Sequence, residues 1–134
     1  MRKIDKIIVH CSGTSVNTTF ESIRNYHKNI LKWSDIGYHY VISFDGKIHD
    51  GRPVEIIGAH CLSENDTSIG ICLIGGLHMF DFSFAQMFNL LSLLIRLCDE
   101  YKISKDNIFG HSVFNPKKKC PCFNVKNFLH YEKI

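Results

Sequence analysis

The sequence predicts one α/β domain over residues 1–134, a central mixed β-sheet flanked by α-helices. Three observations point there. Short β-branched or aromatic runs are interleaved with longer amphipathic segments, the pattern of strands covered by helices. One aromatic run leads directly into Asp45-Gly46, the signal of a hairpin. The chain has 134 residues, enough for a single core that buries roughly 65–70% of the unfolded surface and folds without disulfides.

Taken in order, Lys6 to Cys11 is β-branched and reads as a buried strand ending at His10-Cys11-Ser12-Gly13. Ser12 to Thr19 is polar and turn-rich. Thr19 caps a helix predicted from about Phe20 to Leu31, with Ile23, Tyr26, His27 and Ile30 at helical spacing. Gly37 to Phe44 predicts a strand, Asp45-Gly46 a turn, and Lys47-Ile48-His49 the returning strand. Ile69 to Ile74 is a continuous apolar run closed by Gly75-Gly76, as a central strand buried on both faces requires. Ser83 or Asp81 caps the longest helix, about Phe84 to Tyr101, with Met87, Leu90, Leu91, Leu94, Ile95 and Cys98 as its apolar stripe. Ile108-Phe109-Gly110 is a short strand, Ser112 to Pro121 a basic loop, and Asn124 to His130 a closing helix or turn.

Composition narrows the function classes. The hydrophobic fraction is 45% and the charged fraction 22%, which argues against disorder. Sixteen basic and thirteen acidic residues leave a net charge of +3, and the basic residues lack aromatic interleaving, so no nucleic-acid partner is expected. No apolar stretch approaches the ~20 residues of a membrane span, and no membrane partner is expected. The first apolar run, Ile7-Ile8-Val9, is too short for a signal peptide, so synthesis in the cytoplasm is expected. In that compartment six cysteines and eight histidines favour metal or free-thiol chemistry over disulfides.

Hydrolytic zinc sites usually have three protein ligands and one open position. Three candidate ligands stand where predicted strands or the basic loop end: His10, His111 and Cys120. His10 and His111 are far apart in sequence and meet only if their strands are neighbours, which spacing alone does not establish. His39, His49, His60 and Cys122 compete for the same role.

Four ordered blocks then carry a family resemblance: Ile7-Ile8-Val9-His10-Cys11-Ser12; Trp33 to Ile42 with Asp45-Gly46 and Gly51-Arg52-Pro53; Gly58-Ala59-His60; and Gly110-His111 with Lys118 and Cys120-Pro121. Asn65, Ser68-Ile69-Gly70-Ile71 and Leu73-Ile74-Gly75-Gly76 add to it. Together they resemble the zinc-dependent N-acetylmuramoyl-L-alanine amidases, a family that includes phage lysozyme-like amidases and peptidoglycan recognition proteins. The resemblance implies Zn2+ held by His10, His111 and Cys120, with Tyr38 beside the reacting water and Lys118 as an electrostatic stabiliser. It also implies a substrate contact from His60, for which a loop-fixing role is the competing reading. The implied partner is peptidoglycan, cleaved by a monomer acting on the cell wall after release or export by another route.

The alternatives are a non-catalytic peptidoglycan-binding or regulatory module on the same fold, and a disulfide-stapled secreted defence protein. Cys120 favours catalysis, because family members that only bind commonly lack it. His39 is expected to be structural, facing away from Tyr38 across the sheet. Cys11 is expected to point away from the ligands, and Cys122 to compete as a ligand or pair in a disulfide. Arg52 is expected in an ion pair, and His27, His49, His78 and His130 as ordinary surface or helix residues.

Overall fold

The computed structural model describes residues 1–78 and 81–132. Five strands form one sheet: β1 (Lys6–Cys11), β2 (Tyr40–Ile42), β3 (Ile48–Asp50), β4 (Ser68–Leu73) and β5 (Ile108–Gly110), in the order β3-β2-β4-β1-β5. Parallel pairing joins β2 to β4, β4 to β1 and β1 to β5, and β3 alone runs antiparallel, against β2. The sheet is therefore mixed, and the hairpin turns over Ser43 to Gly46, with Gly46 N–H donating to the Ser43 carbonyl (2.8 Å). Phe44 and Asp45 are its central residues, one position earlier than expected, and Gly46 follows at positive φ. Every residue of β4 is buried, as its uninterrupted apolar run requires.

Three α-helices cover the sheet: α1 (Phe20–Asn25), α2 (Phe84–Tyr101) and α3 (Val125–Glu132). Thr19 caps α1 through its side chain, but the expected helix to Leu31 is regular only as far as Asn25. Tyr26–Ile30 continues as a wider π-type turn. His27 lies inside that turn, a helix residue but a buried one, with Nδ1 accepting the Gly37 N–H at 3.0 Å.

Helix α2 begins with a reciprocal capping box: Ser83 Oγ accepts the Gln86 N–H, and Gln86 Oε1 accepts the Ser83 N–H (both 3.0 Å). The buried Gln86 amide also donates to the carbonyls of Ile42 and Ile74, tying the helix start to the ends of β2 and β4. The face of α2 that packs on the sheet is Leu90, Leu93, Leu94 and Leu97, whereas Ile95 is 51% exposed. The expected stripe is thus turned by about one residue. Leu90 to Leu97 is so rich in apolar residues that two stripes with the same spacing exist, and docking selects one.

Alternation along the strands separates two apolar clusters. Ile7, Val9, Ile69, Ile71, Leu73 and Ile108 join the α2 leucines with Val125 and Leu129 of α3. A smaller cluster on the other face contains Val41, Cys72, Ile74, Ile36 and Phe20. A fully buried leucine or isoleucine stabilises by about 1.5–3 kcal/mol, so the first cluster supplies most of the folding energy. Among the described residues no helix is long and apolar enough to cross a membrane.

Candidate metal centre

The neighbouring of β1 and β5 assembles the site. Val9 pairs with Gly110, so His10 at the end of β1 and His111 just beyond β5 stand side by side, their ring centroids 4.5 Å apart. Cys120 returns to the same point because Ser112 N–H donates to the Cys120 carbonyl at 3.0 Å, fastening the basic loop beside His111. Ligand atoms from His10, His111 and Cys120 all lie within 4.8 Å of one another, the only such group of His, Cys, Asp or Glu found among the described residues. They border a cavity of about 360 Å³ shared with Tyr38, His60 and Lys118.

This donor set fits a borderline-soft divalent cation: two imidazoles, one thiol, and an open side toward the cavity. Metal ligation needs neutral imidazoles. Burial holds His10 well below the usual histidine range, reinforced by His60 and His111. His111 is lowered by its partial burial and by the Lys118 ammonium. Cys120 Sγ is held in place by the backbone of the neighbouring strand, accepting the Cys11 N–H at 2.9 Å.

Tyr38 stands beside His10 with ring centroids 5.3 Å apart. Burial, and after it the Cys72 and Cys120 sulfurs, push its phenol well above the usual range, so it is a neutral donor at physiological pH. Lys118 is exposed at the cavity rim, and Lys119 borders the cavity as well. His60 reaches the cavity, but both ring nitrogens are engaged: Nδ1 lies 2.8 Å from His10 Nε2, and Nε2 lies 3.3 Å from Ser68 Oγ. Burial lowers its pKa to about 3. Only ring carbons remain for a substrate.

The other expectations resolve by geometry. His39 is structural, with Nδ1 accepting the Gly70 N–H and Nε2 2.9 Å from the Ile56 carbonyl, but it does not cross to the far face of the sheet. Its ring lies 5.8 Å from that of His60, because β2 starts only at Tyr40 and strict alternation does not extend back to Tyr38. Among the described residues Arg52 makes no ion pair with a carboxylate, and it donates instead to the carbonyls of Asp35, Ile36 and Ile57. Cys11 is outside the group of three, as alternation implies, yet borders the same cavity with its Sγ 3.9 Å from Cys122 Sγ. All six cysteines are free thiols. His49 stacks on Phe20 with centroids 4.9 Å apart.

Asn65 and Ser68 entered the sequence reading only as part of the resemblance, without a role at the site. Asn65 Oδ1 accepts the N–H groups of His60 and Cys61 (both 2.9 Å), and Ser68 lies behind His60. Gly70 was the available signal: a Cβ there would come within 2.5 Å of the His60 ring, so only glycine leaves room for it.

Comparison with known proteins is specific. Residues 1–123 match the family model described as N-acetylmuramoyl-L-alanine amidase. The chain is 40% identical over 137 residues to the endolysin of Escherichia phage T7, covering 97% of this chain and 88% of that one. It is 32% identical to peptidoglycan-recognition protein SC2 of Drosophila melanogaster, covering 90% and 69%. Among solved structures, the N-acetylmuramoyl-L-alanine amidase LysC from Clostridium intestinale superposes with a TM-score of 0.86 at 27% identity, covering 99% of this chain and 87% of that one.

Proposed function

The chain belongs to the N-acetylmuramoyl-L-alanine amidase family, and on that premise we propose that it is a zinc hydrolase of peptidoglycan. It cuts the amide between N-acetylmuramic acid and the L-alanine of the stem peptide, acting as a monomer on the cell wall. The observation that carries this reading is the convergence of His10, His111 and Cys120 within 4.8 Å on an open cavity. Zinc bound there supplies a Lewis acid and a water acidified toward neutral pH.

The chain's own residues supply the rest. Lys118, at the rim, places an ammonium where negative charge develops on the amide oxygen, a contribution typically on the order of 10²–10³ in rate. The neutral Tyr38 hydroxyl can orient the attacking water or pass a proton to the leaving amine. No aspartate or glutamate borders the cavity among the described residues, so a carboxylate base of the thermolysin kind is missing from its walls. Tyr38 and Ser12 also border a second cavity of about 340 Å³ with Thr14, Ser22 and His27, which extends the cleft along α1 for glycan or peptide.

The test is product analysis. Purified protein should release stem peptides from peptidoglycan without new reducing ends, and chelation should abolish release. Cleavage of the glycan strand by metal-replete protein would overturn the reading.

A further inference from the structure

Behind the three candidate ligands runs a line of hydrogen bonds that the hydrolysis described above does not use. Wholly buried Ser68 donates its hydroxyl hydrogen to the Glu64 carbonyl, which can only accept, at 2.7 Å. A hydroxyl has a single hydrogen. Toward His60 Nε2, 3.3 Å away, Ser68 Oγ is therefore an acceptor, and His60 carries its hydrogen on Nε2. A neutral imidazole protonated on Nε2 has a bare Nδ1. That atom lies 2.8 Å from His10 Nε2, so His10 is the donor of this bond. His10 then also holds its hydrogen on Nε2, and its Nδ1 is the one ring atom free to bind a cation.

The backbone holds this line rigid. Asn65 Oδ1 takes the N–H groups of both His60 and Cys61, and Gly70 leaves the His60 ring the space that any Cβ would fill. Arg2 secures the same loop by donating to the carbonyls of Val54, Asn65, Asp66 and Ser68.

We propose that His60, backed by Ser68, is a positioning residue that fixes the tautomer and ring orientation of His10 and presents His10 Nδ1 to the metal. This rests on the metal reading above. It gives His60 a task other than substrate contact and explains why Ser68 is serine in an otherwise apolar strand. Hydrogen-bond partners of this kind fix the tautomer of a ligating histidine and raise its basicity, and losing one typically costs about 10–100-fold in metal affinity.

Two measurements test it. In the ¹⁵N-labelled, metal-free chain, long-range ¹H–¹⁵N correlation should show both His10 and His60 with hydrogen on Nε2. Hydrogen on Nδ1 of either ring overturns the proposal, and because the unsubstituted chain is used, no variant's folding enters. In zinc competition against a chelating dye, His60→Leu should bind about 10–100-fold more weakly. His60→Asn, whose Oδ1 can accept from His10 Nε2, should recover part of that loss. Equal affinity in His60→Leu and the unsubstituted chain overturns the proposal. An unsubstituted chain that takes up no zinc would instead overturn the metal reading, while the tautomers would still be read in the metal-free protein.

Discussion

The same strands present two different faces. Toward α2 and α3, β1 and β4 turn Ile7, Val9, Ile69, Ile71 and Leu73 into a hydrocarbon layer closed by Leu90, Leu93, Leu94 and Leu97. Toward α1 they turn His10, Gly70 and Cys72, which meet Tyr38, His39 and His60. The first face is stabilised by area alone and tolerates no polar atom without a partner. The second buries imidazoles, each stabilised only through specific hydrogen bonds, and holds them in the neutral form that a metal requires. The large core offsets the cost of burying polar groups on the other side.

Four experiments would break or sharpen that contrast. The largest effect is expected from Cys120→Ser, which removes the one sulfur donor from the candidate metal group. Amidase activity should fall to background, and zinc affinity should fall by more than the roughly 100-fold that losing a ligand's hydrogen-bond partner costs. The urea midpoint of the metal-free chain should hardly move. Retained hydrolysis would remove Cys120 from the mechanism.

Leu94→Ala is the mirror experiment on the apolar face. It should cost roughly 2–5 kcal/mol in urea denaturation and leave zinc affinity of the folded protein unchanged. A large loss of zinc affinity would show that the two faces are not separable.

Acid tests the polar face next. Burial lowers His39 to about 4 and His60 to about 3 in the folded chain, against about 6.5 when unfolded. Between these values the unfolded chain binds more protons, so stability is full above about pH 6.5 and is lost as pH falls toward 4 and below. For His39 the loss totals roughly 3 kcal/mol. Urea midpoints of the metal-free chain should therefore decline from pH 6.5 to pH 4, and a flat profile would show these rings are not buried neutral.

The smallest effect is expected from Ser83→Ala, which deletes the α2 cap at a cost of about 1 kcal/mol. Thermal denaturation should detect it with activity intact at ordinary temperature. A fall in zinc affinity would instead mean that the helix start couples to the site.

Much of this was legible before folding. The strands at Lys6–Cys11 and Ser68–Leu73 and the helix at Phe84–Tyr101 follow from β-branched runs, a long apolar stripe and a serine cap. The ligand candidates stood out because their residue types and order match a family pattern. The roll of α2 was not legible, since Leu93 and Leu97 are as apolar as the residues they displace. Nor was the orientation of His39, because its segment leaves the regular strand before Tyr40 and bonds to Gly70 instead.

The sequence by itself determined which residues could ligate, which segments could be strands or helices, and that the sheet would be mixed. Those properties are local, read from side-chain chemistry and period. Only the tertiary structure decided that β5 lies beside β1, and with it that His10, His111 and Cys120 share one cavity. It also decided that His60 turns both nitrogens inward, to His10 and Ser68. Strand order and the direction of a buried hydrogen bond depend on which distant segments pack together, and no spacing along the chain encodes that.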